Sequence, residues 1–80
     1  MNEVEVKSVV FSILKKIAPD KTPETLKPND SIREVLDIDS FDFLQFIIAL
    51  DEKLGVDTPE EDYSKLATLN LLIHYVNSRK

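Results

Sequence analysis

The stretch from Ser40 to Leu54 constrains the fold more than any other part of the chain, because its apolar residues recur at three- and four-residue spacing for about four turns of helix. Asp39 is a favoured N-cap residue, and Gly55, the one glycine of the chain, follows Leu54 where a left-handed C-cap is expected. The pattern therefore predicts an amphipathic helix between these two caps. Its predicted core face consists of Phe43, Phe46, Ile47, Leu50 and Leu54.

The same spacing predicts a helix near each end of the chain. The first runs from Glu3 to about Ala18, and Pro19 ends it. Thr68 stands where it would cap the last helix, which runs to about Asn77. The apolar stripe of this last helix consists of Leu69, Leu72, Ile73 and Val76.

A capping box predicts a further, short helix after Gly55. Thr58 is its expected N-cap, Pro59 its first residue and Glu61 the partner of the box, and the helix is expected to end at about Lys65. Its apolar anchors are Tyr63 and Leu66. With so few anchors, this should be the least stable helix.

The connection from Asp20 to Ile38 is long for a compact domain, so we expect apolar side chains to hold it on the bundle. Those side chains are Leu26, Ile32, Val35 and Leu36. Together the elements predict an all-α fold, a small antiparallel four-helix bundle with three main helices, one short helix and a long loop between helices 1 and 2. At this length we expect a single domain over residues 1–80.

Charge is distributed unevenly along the chain. Residues 37–62 contain nine acids against Lys53 alone, so this segment carries −8 and the rest of the chain +3. A field of this sign repels nucleic acids and anionic membranes and attracts basic protein surfaces. We therefore expect protein partners with basic docking surfaces, no nucleic acid and no membrane insertion.

Composition argues against several kinds of site. The chain has no cysteine, which excludes disulfides and thiolate metal sites. Its single histidine, His74, leaves no imidazole cluster for a zinc site. Asp37, Asp39 and Asp42 lack the spacing of an EF-hand loop, so we expect no resident metal. A nucleophilic serine needs a base in reach and a cleft for its substrate, but the only histidine lies on the last predicted helix and the chain is too short for a large cleft, even though helix N-terminal amides could form an oxyanion site. We therefore expect no catalytic residue and no enzyme. The N-terminus lacks the pattern of a signal peptide, and we expect a cytoplasmic protein.

Ser40 is the candidate functional residue. It falls at the first position of the predicted helix, with Asp42 in the first turn, and a helix start would stabilise a phosphate esterified to it. A second apolar group, Phe41, Leu44 and Ile48, lies on its flank. The rim of this group consists of Gln45, Asp51 and Glu52. Two interpretations stay open: the long loop covers the group, or the group is a patch that contacts partner proteins.

The sequence resembles the acyl carrier proteins, small helical carriers that hold acyl groups as thioesters on a 4'-phosphopantetheine arm attached to a serine. The family motif is an Asp-Ser pair followed by an apolar residue at the head of a helix, and Asp39-Ser40-Phe41 matches it. The similarity covers nearly the whole chain. It continues through Asp42, Leu44 to Leu50, Asp51-Glu52, Pro59-Glu60-Glu61 and Thr68 to Asn77.

The resemblance implies a role for each part of the site. Ser40 would receive 4'-phosphopantetheine from coenzyme A through a phosphopantetheinyl transferase, and Asp39 would complete the motif. Acyl synthases and transferases would contact Asp37, Phe41, Asp42, Leu44, Gln45, Ile48, Asp51, Glu52, Glu60 and Glu61. An acyl chain would lie among Phe46, Ile47, Leu50, Tyr63, Leu66 and Leu69. The carrier would be a monomer that delivers intermediates of fatty acid or related lipid and secondary-metabolite biosynthesis.

Three departures from the family pattern leave the pathway open. The chain has Asp37 where the family commonly has glycine, Phe41 where it has leucine and Gln45 where it has glutamate. These departures alter the surface that partners would contact. The alternatives are a carrier of a dedicated pathway, such as a D-alanyl or aminoacyl carrier, and, in a different class, a helical interaction adaptor without the arm.

Overall fold

The computed structural model describes residues 2–79 and is built from α-helices. They are α1 (Glu3–Ile17), α2 (Ile32–Leu36), α3 (Ser40–Leu54) and α4 (Leu69–Arg79). Two 3-10 segments, Pro23–Thr25 and Glu60–Leu66, lie in the connections. Within residues 2–79 the β-structure is confined to an isolated bridge between Ser31 and Thr68. The all-α bundle predicted from the sequence is confirmed.

α3 begins and ends at the predicted caps. The Oδ1 of Asp39 accepts a hydrogen bond from the Asp42 amide at 2.8 Å. Gly55 adopts the left-handed conformation at φ 66°, and its amide donates to the Asp51 carbonyl. The five residues of the predicted core face, Phe43, Phe46, Ile47, Leu50 and Leu54, are all buried.

One hydrophobic core joins the three long helices. α1 contributes the fully buried Val6, Val10 and Leu14, and α4 contributes Leu72 and Val76. α1 packs against both α3 and α4, so it forms the back of the bundle and supports the helix that begins at residue 40. No helix within the described residues is long and apolar enough to cross a bilayer.

The long connection is held on the bundle mostly as predicted. Leu26, Ile32 and Leu36 are buried, but Val35 is 45% exposed, so its prediction was wrong. α2 has a single inward face, which Ile32 and Leu36 occupy four residues apart, and Val35 lies off that face. Ile38, the residue just before Asp39, is buried instead.

The segment after α3 differs from the predicted short α-helix. It is a 3-10 segment with Pro59 at its N-cap and without a side-chain cap. Thr58 does not cap it, because its hydroxyl donates to Asp51 Oδ1 at 2.7 Å and its amide donates to Asp51 Oδ2 at 3.0 Å. The capping-box prediction was therefore wrong, since a carboxylate from the end of α3 takes the threonine hydroxyl. Leu66 is buried and Tyr63 half-buried.

Candidate functional site

Ser40 lies at a sharp junction between two helices. α2 ends at Asp37, which adopts the left-handed conformation at φ 51° and ψ 49°. The amides of Asp37 and Ile38 both donate to the Arg33 carbonyl, which closes the end of α2 directly before the start of α3. Aspartate tolerates this conformation better than most residues, and glycine, which the family commonly has here, adopts it without strain. The junction leaves Ser40 exposed as the first residue of α3.

Accessible acidic side chains precede and follow the serine along the chain. Asp37 and Asp39 are exposed and Asp42 is half-buried in the first turn of α3, where a negative charge is favourable. Glu60 and Glu61 are exposed at the start of the second 3-10 segment. All five of these residues therefore contribute to an accessible acidic surface, as the charge distribution of the sequence indicated.

An open cavity of about 560 Å³ lies beside Ser40. Its apolar walls come from Phe41, Phe43, Leu44, Tyr63 and Ala67. Ser31, Arg33, Ser64 and Ser40 itself also border it. The volume is in the range of small-molecule sites. Because Ser40 and Arg33 border this cavity together with several apolar residues, the cavity suits a group that is anionic where it joins the serine and apolar beyond it.

Five of the six residues predicted to line an acyl pocket do not border this cavity. Of the six, Tyr63 borders the cavity beside Ser40. The other five, Phe46, Ile47, Leu50, Leu66 and Leu69, are at most 2% exposed and fill the core. Phe43 borders the cavity, and the centroid of its ring lies 5.7 Å from that of the buried Phe46, so the two rings join the cavity wall to the core.

The apolar group on the flank of Ser40 is largely uncovered. Phe41 is 66% exposed and Ile48 is 45% exposed, while Leu44 is half-buried at the cavity. The long connection therefore leaves Phe41 and Ile48 uncovered, while its residues Ser31 and Arg33 border the same cavity as the half-buried Leu44. An exposed phenyl ring next to an isoleucine, within an acidic surface, has the character of an interface patch.

The three polar residues at the rim of this patch have different surroundings. Gln45 and Glu52 are exposed and border a groove that Ile13 and Lys16 of α1 also line. Asp51 is half-buried, and both its carboxylate oxygens accept hydrogen bonds from Thr58. Its carboxylate thus joins the end of α3 to the next segment, a role that the sequence did not indicate.

A second hydrogen bond joins the second 3-10 segment to α4. The hydroxyl of Tyr75 on α4 donates to Asp62 Oδ2 at 2.8 Å, and the Arg79 guanidinium lies 5.5 Å from the Tyr75 ring centroid. This hydrogen bond lowers the pKa of Asp62 below its usual 3.8, with a smaller contribution from Lys65. Burial, with the hydrogen bond to Asp62, raises the pKa of Tyr75 above its usual 10. His74 is exposed.

Arg33, Ser31 and Ser64 border the cavity but were not predicted as site residues. They come from α2, its N-cap and the second 3-10 segment, so no local sequence pattern connects them with Ser40. For Arg33 one signal was available: it is a basic residue shortly before a strongly acidic stretch.

Comparisons with known proteins agree with this geometry. Residues 8–76 match the family described as the phosphopantetheine attachment site. The chain is 34% identical over 80 residues to the acyl carrier protein of Thermosynechococcus vestitus, covering 99% of this chain and 96% of the relative. It is 28% identical over 74 residues to the acyl carrier protein of Wolinella succinogenes, covering 89% and 97% respectively. A solved structure of the acyl carrier protein from Enterococcus faecalis has the same fold, with a TM-score of 0.74 at 23% identity over the full length of both chains.

Proposed function

Since the chain belongs to the acyl carrier protein family and has its phosphopantetheine attachment domain, we propose that it carries acyl groups as thioesters on an arm attached to Ser40. The observation that carries this proposal is the position of Ser40. It is exposed at the first residue of α3, follows the Asp39 cap and borders a cavity that suits an anionic group with an apolar continuation. The Asp39-Ser40-Phe41 motif supports the same assignment.

The chemistry of loading would need only the hydroxyl from this chain. Ser40 Oγ would attack the coenzyme A phosphorus that bears the pantetheine, forming the new P–O bond of a phosphodiester. The P–O bond of the pyrophosphate would break and adenosine 3',5'-bisphosphate would leave, while the hydroxyl proton would pass to a base of the transferase. The Asp39 cap holds the first turn of α3, so it would keep the hydroxyl at an accessible position. The thiol of the arm supplies the thioester chemistry.

We further propose a non-catalytic role in the cytoplasm, as a monomer, with a transferase and acyl synthases or transferases as partners. The acidic surface around Ser40 and the exposed Phe41 and Ile48 support contact with basic protein surfaces that also present apolar residues. Fatty acid or related lipid or secondary-metabolite synthesis is the proposed setting. The exposed Phe41, where the family commonly has leucine, also supports the alternative of a carrier for one dedicated pathway.

Intact mass measurement tests the attachment. Incubation with coenzyme A, Mg²⁺ and a phosphopantetheinyl transferase should add one phosphopantetheine mass to the wild type and none to Ser40→Ala. Ser64→Ala is the matched control, because Ser64 also borders the cavity and should leave loading intact. An unchanged mass for the wild type would refute the proposal. If partner binding survived unchanged in Ser40→Ala, the adaptor alternative would be favoured.

A further inference from the structure

We propose that Arg33 binds the phosphodiester of the arm and holds the first segment of the arm in the cavity beside Ser40; this inference rests on the proposed attachment at Ser40. Both side chains border the same cavity. The covalent bond to Ser40 would fix the phosphate at the edge of that cavity. The question is then which group balances its charge.

A counter-ion beside Ser40 would offset the negative charge that the arm adds to an acidic surface. A phosphodiester carries a negative charge and would lie near the carboxylates of Asp37, Asp39 and Asp42. The Asp39 carboxylate already accepts the amide of Asp42, so one donor of the helix start is occupied. Among the described residues, Arg33 is the one basic residue that borders the cavity. Like charges in this arrangement would otherwise repel the arm into solvent.

Arg33 is free to serve as that counter-ion. The salt bridges within residues 2–79 join Lys7 to Glu3 and Lys65 to Asp62, and neither involves Arg33. Its guanidinium group can donate two parallel hydrogen bonds to phosphate oxygens, which a lysine cannot do with the same geometry. Arg33 therefore combines an uncommitted charge with the donor arrangement that a phosphodiester prefers.

The backbone beneath Arg33 is well fixed. Its neighbours Ile32 and Leu36 are buried in the core, and its carbonyl accepts the amides of Asp37 and Ile38. The Ile32 amide also donates to the Ala67 carbonyl at 3.0 Å, and Ala67 borders the same cavity. The backbone of Arg33 is therefore held in a fixed place beside the cavity.

The residues that line the cavity match the chemistry of the first segment of the arm. Beyond the phosphodiester, phosphopantetheine has a carbon with two methyl groups, an apolar unit that matches the walls formed by Phe43, Leu44 and Tyr63. Phe43, which borders the cavity, packs against Phe46, which is buried in the core. The lining thus offers a basic residue for the charged part of the arm and apolar residues for the methylated part.

Proton NMR of the loaded protein tests this inference. The wild type, Arg33→Gln, Arg33→Lys and Lys27→Gln are loaded, and each mass is checked first. In the wild type, nuclear Overhauser contacts should join the geminal methyl protons of the arm to the rings of Phe43 and Tyr63. They should be lost in Arg33→Gln, reduced in Arg33→Lys, and weakened in the wild type by added salt, which screens a partly exposed ion pair.

The controls separate the possible failures. Lys27→Gln removes the same charge from an exposed residue of the same connection that does not border the cavity, so its contacts should equal those of the wild type. Contacts that are absent in the loaded wild type, unchanged in Arg33→Gln, or lost equally in Lys27→Gln would overturn the role of Arg33. A wild type that gains no mass would instead overturn the attachment itself. Unfolding of each unloaded variant in urea checks that the variant is folded. If Arg33→Gln does not fold, the comparison between Arg33→Lys and the wild type provides the test.

Discussion

Replacing Thr58 with valine tests the contact that takes the place of the predicted capping box. Thr58 is 7% exposed, and its hydroxyl donates to the Asp51 carboxylate at 2.7 Å, while its amide makes a second hydrogen bond to the same group. Valine keeps the shape of the side chain and the amide, so the substitution removes the hydroxyl hydrogen bond alone. The contact joins the C-terminal end of α3 to the segment that supplies Tyr63 and Ser64 to the cavity wall.

The expected loss follows from the charge and the burial of the pair. A hydrogen bond to a charged group contributes about 1.5–3 kcal/mol, and because Asp51 is half-buried, water can partly replace the lost donor. We therefore expect Thr58→Val to lower the free energy of unfolding by about 1.5–2 kcal/mol. With a urea m-value of about 1 kcal/mol/M for a small domain, the midpoint should fall by about 1.5–2 M.

A double-mutant cycle with Asp51→Ala, measured by urea unfolding, distinguishes this contact from a helix cap. If Thr58 bonds to Asp51, the two substitutions should be coupled by about 1 kcal/mol or more. If Thr58 caps the following segment instead, their effects should add within about 0.5 kcal/mol, and the interpretation would be refuted. Thr25→Val is the matched control, because it removes an exposed hydroxyl bond to the neutral Thr22 carbonyl and should cost about 0.5 kcal/mol or less.

Two further predictions concern helix caps, and a third concerns a pH-dependent hydrogen bond. Asp39→Ala removes the acceptor of the Asp42 amide and should lower the free energy of unfolding in urea by about 1 kcal/mol; an unchanged value would contradict the cap. Gly55→Ala places a side chain at φ 66° and should cost about 1 kcal/mol in the same assay, unless the C-cap is not left-handed. Tyr75→Phe frees the Asp62 carboxyl, whose pKa the Tyr75 hydrogen bond holds below 3.8 in the folded chain. The stability that this hydrogen bond gives to the folded state is present above the unfolded pKa of Asp62 and is lost as the pH falls through its lowered folded pKa. The difference in the free energy of unfolding between wild type and Tyr75→Phe should therefore be larger at pH 7 than near pH 2. Equal differences at the two pH values would contradict this prediction.

The long helices were predictable because their signals are local. Apolar residues at helical spacing, an N-cap at Asp39 and a glycine at position 55 act within one or two turns, and each determines a helix end almost independently of the rest of the chain. α4 was predicted for the same reason, with Thr68 accepting the Leu71 amide at 3.1 Å. Ser40 followed from the same local reasoning, because its place at the head of α3 depends on the cap beside it.

The short segments were less predictable because competing contacts decide them. The capping box at Thr58 is a valid local pattern, yet the turn at Gly55 brings Asp51 within reach, and the carboxylate takes the threonine hydroxyl. Val35 is apolar, but a helix as short as α2 has one inward face, and its neighbours occupy it. In both cases the sequence was compatible with two arrangements, and packing selected one.

Local sequence patterns alone specify the helical class of this carrier, the ends of its long helices, the acidic surface and the serine at the head of α3. Tertiary packing sets the surroundings of that serine, because the cavity is built from α2, α3 and the second 3-10 segment, and this last segment follows Ser40 only after the whole of α3. It is the packing of these three segments that brings Arg33 to the same cavity as Ser40 and leaves Phe41 exposed beside it. Local periodicity cannot specify such neighbours, since they depend on how helices pack rather than on where each one begins and ends.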